Sequence, residues 1–587
     1  MKTLFIVQSG WNSKLVKKLK SLKKNDLLVI WGTYFPKELL EKGWNIKLAE
    51  DYLKKKDYHE IDSYIFRYLS SSWYLYQDAT KYEDIHLGRI IEYSFQKFLV
   101  PRLKNIILLQ KIIQSEGIEC IVVVDETKEF RECLAFISRS YCILIKHHSF
   151  HKYLRLLPSF LNVLKGWCRD SIIKKIDQKE NQAHKKNYFS RSAILLDSRL
   201  YVDFEKRGQD TKQFIPLLLE DGLRLRLDMK KRKKPYVFFL KEAGISFKNQ
   251  WGKLKTDEAF RKQFYFGTVN LWPLVEEKLK DLFNHTFPIL ANNIQFLNQF
   301  FKKQKVGLIL LRNDLKEFER LLIEVAHQHK ISVAVIQHGV WAELNQSSSW
   351  ADHFLAWGEA SRHCYKKQGE VHGNFVIVGN PKFDDLRGWK PSISKKELYS
   401  SLNLNPDQKM ILWVTQQINL FSSFWTNDLF YMKTRALLDS LKTLKECQLI
   451  IKADPYEKIE PYEQILQSFE KKKVSVVRDM NIYTLMYYSD LLITLDSTAA
   501  LEAFFFEKPV IVFNLTKRED RVPYAQEGAA LRVAQIENLP IAINKALYDS
   551  EVQEKLKEAQ TRFLQKYAYQ IDGKAQERIS KFMNSYI

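Results

Sequence analysis

The residues best suited to chemistry follow four apolar runs, at the points where predicted strands end. They are Asn313-Asp314, Gln337-His338-Gly339, Lys452-Ala453-Asp454-Pro455 and Asp496-Ser497-Thr498. In a doubly wound α/β sheet, the loops at the carboxyl ends of the strands border the ligand cleft. The sequence therefore predicts a cleft that holds an imidazole, carboxylates, a lysine and two hydroxyls.

The last of these strand ends has the most specific chemistry. Asp496 or Ser497 can cap the helix that follows, and the free N–H groups of that helix favour an anion. Ser497 and Thr498 add hydroxyl donors for a phosphate oxygen. Glu502 lies four residues after Thr498, on the same helix face, and can accept a hydrogen bond from a ribose hydroxyl. The pattern fits a nucleotide, although an ordinary helix cap with a solvated glutamate also explains it.

Composition limits the class of protein. The chain has 587 residues and a formal charge of +23, with 45% hydrophobic and 27% charged residues. This length predicts two to four domains, and the composition excludes a disordered or fibrous chain. The charge suggests an anionic partner, but no zinc finger, RNP-like motif or basic heptad accompanies it, so we expect no nucleic acid partner. Six widely spaced cysteines without a C-x-x-C pair argue against a zinc ribbon, a redox motif or a disulfide scaffold.

Alternating strand-like and helix-like segments predict the elements that position these residues. The opening Met1–Ser9 is interpreted as a first buried strand rather than a signal peptide, and no run reaches the ~18–20 apolar residues of a membrane span. We predict two doubly wound, Rossmann-like domains, at 1–375 and 376–550, followed by helices at 551–587. The first domain is expected to carry insertions at about 52–109, which is helical, and 150–300.

Two segments of the second insertion could meet a membrane. Residues 150–176 mix aromatic and aliphatic side chains with Lys and Arg, and Arg224–Lys234 has seven basic residues in eleven. Such segments favour an anionic lipid surface at ~1 kcal/mol per basic residue. An ordinary bundle helix and a solvated loop are the alternative. We expect a cytoplasmic protein that can attach to the inner face of the cell membrane.

The order of the motifs carries a family resemblance. Asp490, Ser497-Thr498, Glu502-Ala503 and Lys508–Ile511 resemble the donor-binding half of GT-B glycosyltransferases. Three further stretches resemble the surface-carbohydrate branch: Val335–Gly339 (VIQHG), Asp352 with Trp357–Glu359 (WGE), and Val378–Asp384 (VGNPKFD). That branch includes capsule-synthesis (Kdo-transferase-like) proteins and CDP-glycerol glycerophosphotransferases. The resemblance spans about 305–540 and implies two Rossmann-like domains.

The resemblance also implies roles for individual residues. His338 matches the active-site histidine, although a structural histidine at a tight turn is the alternative, and Asp314 or Asp125 could be the base instead. The residues expected to bind the donor are Gly339, Gly379, Asn380, Lys452, Ser497, Thr498 and Glu502. The sequence departs from the family at Asp454, where K-x-H-P has histidine, and a carboxylate cannot donate to phosphate as imidazole does.

The resulting functional prediction is a metal-independent transferase without a cofactor. It would move a sugar, or a polyol phosphate, from a nucleotide donor to a bacterial-type surface polysaccharide or lipid-linked glycan. CMP-sugar or CDP-glycerol is the first donor to test. Two alternatives stay open: a sugar-nucleotide epimerase of the same superfamily, and an inactive scaffold of a polysaccharide assembly complex, which Asp454 would suit.

Overall fold

The computed structural model contains three separate parallel β-sheets with helices packed against them. It describes residues 2–7, 19, 22–23, 25–31, 44–65, 73–125, 127–147, 193–208, 212–218, 237–239, 245–340, 350–367, 373–416, 427–444, 446–455, 457, 459–466, 473–515 and 519–587. The sheets are called the first, middle and third sheet in chain order. The predicted α/β architecture with doubly wound parallel sheets is confirmed.

The first sheet has the strand order β3-β2-β1-β6-β7. The strands of this region are β1 (Thr3–Val7), β2 (Leu27–Ile30), β3 (Asn45–Leu48), the hairpin pair β4 (Lys81–Tyr82) and β5 (Ile85–His86), β6 (Cys120–Asp125) and β7 (Leu144–His147). The helices are α1 (Lys55–Ser63), α2 (Leu87–Ile90), α3 (Glu92–Glu116) and α4 (Lys128–Tyr141). Four of the five residues of β1 are buried, which confirms the predicted first strand.

The middle sheet has the order β10-β9-β8-β13-β14-β15-β16. The strands of this region are β8 (Ala193–Asp197), β9 (Phe214–Leu218), β10 (Val237–Phe238), the hairpin pair β11 (Tyr265–Phe266) and β12 (Val269–Asn270), β13 (Val306–Leu311), β14 (Ser332–Ile336), β15 (His353–Ala356) and β16 (Asn374–Ile377). The helices are α5 (Ser198–Lys206), α6 (Lys248–Leu254), α7 (Glu258–Lys262), α8 (Trp272–Asp281), α9 (Phe287–Lys303), α10 (Glu317–Gln328) and α11 (Glu359–Lys367).

The third sheet has the order β19-β18-β17-β20-β21-β22. Its strands are β17 (Lys409–Val414), β18 (Cys447–Lys452), β19 (Val474–Val477), β20 (Leu491–Thr494), β21 (Val510–Phe513) and β22 (Leu531–Val533). The remaining helices are α12 (Pro381–Leu386), α13 (Lys395–Ser401), α14 (Asn427–Thr443), α15 (Glu460–Leu466), α16 (Ile482–Tyr488), α17 (Thr498–Phe504), α18 (Leu539–Tyr548), α19 (Ser550–Tyr567) and α20 (Ala575–Asn584).

The region predicted as one N-terminal unit, 1–375, holds both the first and the middle sheet. Strands β8, β9 and β10 lie inside the expected insertion at 150–300, and they form one side of the middle sheet. A single hydrophobic cluster nevertheless contains Leu4 and Val123 of the first sheet and Ile309 and Val333 of the middle sheet. The two sheets therefore share a continuous core through the helices between them.

Helix α20 returns to the middle sheet after the third sheet is complete. Its residues Ile579 and Met583 are buried in one cluster with Leu310 of β13 and Leu355 of β15. The hydroxyl of Tyr586, just after the helix, lies 2.6 Å from Nε2 of His353. The chain thus crosses from the middle sheet to the third and back, so the two sheets are joined by two covalent connections.

Replacing Met583 with alanine is expected to lower the free energy of unfolding by about 2–5 kcal/mol. Met583 is 1% exposed, so truncation removes buried methylene groups and leaves a cavity between α20 and the sheet. Denaturant unfolding measures the change. The control is Ile541→Ala, since Ile541 is 57% exposed; equal effects from the two variants would contradict the packing described for α20.

Candidate functional site

The turn after β14 is fixed by the side chain of Gln337. This side chain is buried, and its Oε1 accepts hydrogen bonds from the backbone N of Trp357 and from Oγ of Ser361, both at 2.8 Å. Its Nε2 donates to the carbonyl of Gly339 at 2.9 Å. The Gln337 side chain thus fixes the two residues that flank His338: Gln337 itself, through Trp357 and Ser361, and Gly339, through its carbonyl. His338 therefore lies at the carboxyl edge of the middle sheet.

His338 is solvent-exposed but closely surrounded by protein. Desolvation lowers the pKa of His338, and the positive charge of Arg312 lowers it further; a hydrogen bond to the Arg312 backbone and the charge of Asp314 oppose this only in part. The ordinary histidine pKa is about 6.5. The ring is therefore neutral at pH 7 and can accept a proton.

The loop that carries His338 contacts the start of α17 on the third sheet. The backbone N of Val340 donates to Oγ1 of Thr498 at 3.2 Å. A Cβ added to Gly339 would lie 3.7 Å from the same oxygen, an ordinary van der Waals distance. The structure thus brings Thr498 close to His338 and Gly339, although Thr498 is more than 150 residues from them in sequence.

Ser497 and Asp496 shape the beginning of α17. Oγ of Ser497 caps the helix by accepting from the backbone N of Ala499 at 3.2 Å. Oδ1 of Asp496 accepts from Nε2 of Gln416 at 2.7 Å, and Oδ2 of Asp496 lies 3.5 Å from Nη1 of Arg521. Gln416 and Arg521 were not predicted. Gln416 follows the end of β17. The strand-end rule, by which residues just after the carboxyl ends of parallel strands border the ligand site, could therefore have found it. Nothing in the sequence pairs Arg521 with Asp496.

Glu502 is buried one helical turn beyond Thr498 and has two partners. Its Oε1 lies 2.6 Å from Nζ of Lys382 and accepts from the hydroxyl of Tyr483 at 3.4 Å. Burial lowers the pKa of Lys382, but the Glu502 carboxylate outweighs this, so the net shift is upward. The predicted ribose acceptor is therefore a buried carboxyl group that contacts the ammonium of Lys382.

Lys452 is at the end of β18, where the resemblance places it, but its ammonium is bound to the protein. Nζ of Lys452 donates to the carbonyl oxygens of Ala453 at 2.9 Å and Arg478 at 2.7 Å. Burial lowers its pKa. Next to it, the backbone N of Asp454 donates to Oγ1 of Thr415 at 3.0 Å. A role for Lys452 in binding phosphate stays a prediction, and this geometry would require the side chain to leave two acceptors.

Gly379 and Asn380 serve the turn that leads into α12. Gly379 has φ +80°, and an added Cβ would lie 3.3 Å from both Cβ of Ala575 and Nη2 of Arg578, so α20 needs the close approach. The side chain of Asn380 caps α12 by accepting from the backbone N of Lys382 at 3.0 Å. Their contact with a nucleotide stays a prediction.

The two carboxylates that compete with His338 lie apart from each other. Asp125 ends β6 of the first sheet, and the structure does not describe its side chain. Asp314 follows β13 beside His338 and is buried; its Oδ2 accepts from the backbone N of Trp350 at 2.8 Å. Asp314 and Thr498 thus hold the two described residues, Trp350 and Val340, that flank segment 341–349.

Replacing Asp314 with alanine is expected to reduce activity about tenfold, because the backbone N of Trp350 loses the carboxylate that accepts its hydrogen bond. Asp314→Asn keeps an oxygen for that bond and should retain most of the activity. The measurement is the rate of nucleotide release from the donor. If both variants are equally inactive, Asp314 is a catalytic base rather than a positioning residue.

The structure bears on the predictions about metal, membrane and basic segments only through the residues that it describes. Among the described residues, no group of three or more His, Cys, Asp or Glu side chains could hold a metal ion. No helix in the described ranges is both long and apolar enough to cross a bilayer. The basic segments 150–176 and Arg224–Lys234 lie outside the described residues.

Comparisons with known proteins complete the description of this site. The CDP-Glycerol:Poly(glycerophosphate) glycerophosphotransferase family matches residues 290–585. No curated protein matches. Among solved structures, the S. aureus protein MnaA in its UDP co-structure has 14% identity and a TM-score of 0.44, over 68% of this chain and 98% of that chain. A Rickettsia africae glycosyltransferase has 12% identity and a TM-score of 0.43, over 68% and 99%.

The matched range covers about half of the chain and contains the QHG turn, the Gly379-Asn380 turn, Lys452 and helix α17. It therefore includes each predicted site residue except Asp125. The chain belongs to the CDP-glycerol:poly(glycerophosphate) glycerophosphotransferase family, a group of transferases in the GT-B glycosyltransferase superfamily.

Proposed function

We propose that this protein transfers a sugar or polyol-phosphate group from a cytidine-linked nucleotide donor to a hydroxyl of a surface polysaccharide or lipid-linked glycan. One observation carries the proposal: the hydrogen bond from Val340 to Thr498 places the neutral His338 beside the start of α17. This contact supports the proposal because it brings the proposed acceptor base close to the helix that we propose binds the nucleotide.

His338 has the properties of the acceptor base. Its neutral ring takes the proton of the acceptor hydroxyl as that oxygen forms the new bond. The bond to the leaving nucleotide breaks, and the negative charge that develops on its phosphate needs donors aimed at it in advance. The hydroxyls of Ser497 and Thr498 are the nearest candidates, and Glu502 accepts from the ribose. No metal ion is required by this proposal.

The group transferred can be read from the nucleotide released. Attack on the β-phosphorus of CDP-glycerol breaks the phosphoanhydride and releases CMP, and the glycerol phosphate joins the acceptor. Attack on the sugar of a CMP-sugar also releases CMP, whereas attack on the sugar of a nucleoside-diphosphate sugar releases the diphosphate. In each case the acceptor proton passes to His338.

The test incubates the purified protein with CDP-glycerol, CMP-sugars and UDP-sugars, with and without a glycan acceptor. Acceptor-dependent release of CMP would support the proposal. Epimerisation of a nucleotide sugar without acceptor would instead support the epimerase alternative. If no nucleotide is released and none changes the melting temperature, an inactive scaffold is the better description.

A further inference from the structure

One half-exposed cation at the candidate nucleotide site comes from the turn between the middle and third sheets. Lys382 is in the first turn of α12, and its side chain is 52% exposed. Its Nζ lies 2.6 Å from Oε1 of Glu502, whose side chain is 6% exposed, and 5.4 Å from the centre of the Tyr483 ring. A buried carboxylate, an aromatic face and a half-exposed ammonium therefore meet at one point.

Lys452 is less suited to contact the donor phosphate. Its ammonium is buried and already donates to the carbonyl oxygens of Ala453 and Arg478. Moving it to a phosphate would leave two carbonyl groups without that donor and would break hydrogen bonds to a charged group, which are the stronger kind. The ammonium of Lys382, by contrast, can keep its bond to Glu502 and donate with its remaining hydrogens.

Lys382 contacts α17 at Glu502, about one helical turn from the proposed phosphate contact at Thr498. Thr498 and Glu502 are four residues apart, which corresponds to about 6 Å along a helix. A nucleotide whose ribose is bound at Glu502 and whose phosphate faces Thr498 would pass the ammonium of Lys382. The acidic partner keeps this ammonium charged at neutral pH, whereas burial acts against the charge of Lys452.

We propose that Lys382, held in place by Glu502 and Tyr483, is the residue that contacts a phosphate oxygen of the nucleotide donor. This role rests on the proposed function and extends it to a residue outside α17 and the QHG turn. The ligand class is a pyrimidine nucleoside mono- or diphosphate, or its ester. The same contact would join the turn between the middle and third sheets to the bound donor.

The test measures binding of CDP, UDP and cytidine by calorimetry to the full chain. In Lys382→Ala, the affinity for CDP is expected to fall about tenfold or more, while the affinity for cytidine, which has no phosphate, changes less than about twofold. Lys382→Arg should retain most of the affinity for CDP. The matched control is Lys557→Ala, which removes an exposed lysine that lies 2.8 Å from exposed Glu507.

A second pair of variants guards against loss of structure when Glu502 is left without its cation. Glu502→Gln is compared with Lys382→Gln/Glu502→Gln, in which both charges are neutralised together. The double variant should bind CDP about tenfold more weakly than the single one. Equal CDP affinities for these two variants, or equal losses for CDP and cytidine in Lys382→Ala, would overturn the role of Lys382.

The two proposals fail in different ways. If the wild-type chain binds CDP or UDP and Lys382→Ala binds it equally well, the role of Lys382 is wrong and the proposed function stands. A loss seen in Lys452→Ala but not in Lys382→Ala would likewise reassign the phosphate contact to Lys452. If the wild-type chain binds neither nucleotide, the proposed function is wrong, and the role of Lys382 is overturned with it.

Discussion

Replacing His338 with alanine is expected to lower turnover by about 10²–10⁴-fold while leaving nucleotide affinity nearly unchanged. The variant loses the group that takes the acceptor proton. It keeps Thr498 and Glu502, and the backbone N of Val340 can still donate to Thr498. Single-turnover kinetics and nucleotide calorimetry on the same preparation separate the two effects. His285→Ala is the control, because His285 is exposed on the segment that joins α8 to α9.

The pH dependence gives an independent check on His338. The base is active when neutral, so kcat/KM should fall as pH drops through the pKa of His338, which surrounding protein and Arg312 hold below the ordinary value of about 6.5. The acid limb of the profile is therefore expected below pH 6.5, with a plateau through neutrality. Unchanged turnover in His338→Ala, or an acid limb above pH 7, would remove this histidine from the mechanism.

The second large effect is expected at Glu502. Glu502→Ala should weaken CDP binding by about 10–100-fold, because a hydrogen bond to a charged group contributes about 1.5–3 kcal/mol. The half-exposed ammonium of Lys382 can return to water in this variant, so most of the fold should survive. Calorimetry with CDP measures the loss, and the melting temperature reports on folding.

A comparison with 2′,3′-dideoxy-CDP isolates the ribose contact. The wild-type chain should bind this analogue much more weakly than CDP, whereas Glu502→Ala should bind the two nearly equally. Glu507→Ala removes an exposed carboxylate just beyond α17 and serves as the control. If dideoxy-CDP and CDP bind the wild-type chain with equal affinity, Glu502 does not hold the ribose hydroxyls.

The strand-end rule predicted much of the candidate site from sequence. His338, Asp314, Lys452 and Ser497 all lie at or just after the carboxyl ends of strands in the structure, as expected. The rule succeeds because a parallel strand buried on both faces is a short apolar run whose end can be seen in the sequence. It indicates which residues reach the edge, but not the partners of their polar atoms. For this reason, the two hydrogen bonds from Lys452 to backbone carbonyls could not be predicted from the sequence.

Contacts between distant segments account for the rest. Lys382 and Glu502 are 120 residues apart, and the lysine was visible only as part of a turn motif. The strands β8, β9 and β10 were overlooked for a different reason. They are short apolar runs in a region rich in basic and aromatic residues, and alternation does not reveal the sheet to which a strand belongs. Applying the strand-end rule to β17 would have added Gln416 to the predicted site residues.

The return of α20 to the middle sheet has a consequence for folding during synthesis. The last strand of the middle sheet, β16, ends at Ile377 and α20 begins at Ala575, so the part of the sheet face that α20 covers stays exposed while the third sheet is made. We expect chains that end at residue 570 to expose this face. Dye binding and limited proteolysis of such chains would reveal it, and protection equal to that of the full chain would contradict it. Packing of the middle sheet would then be completed only after the third sheet has been translated. The parts of the candidate site on the two sheets would therefore reach their folded positions at about the same time.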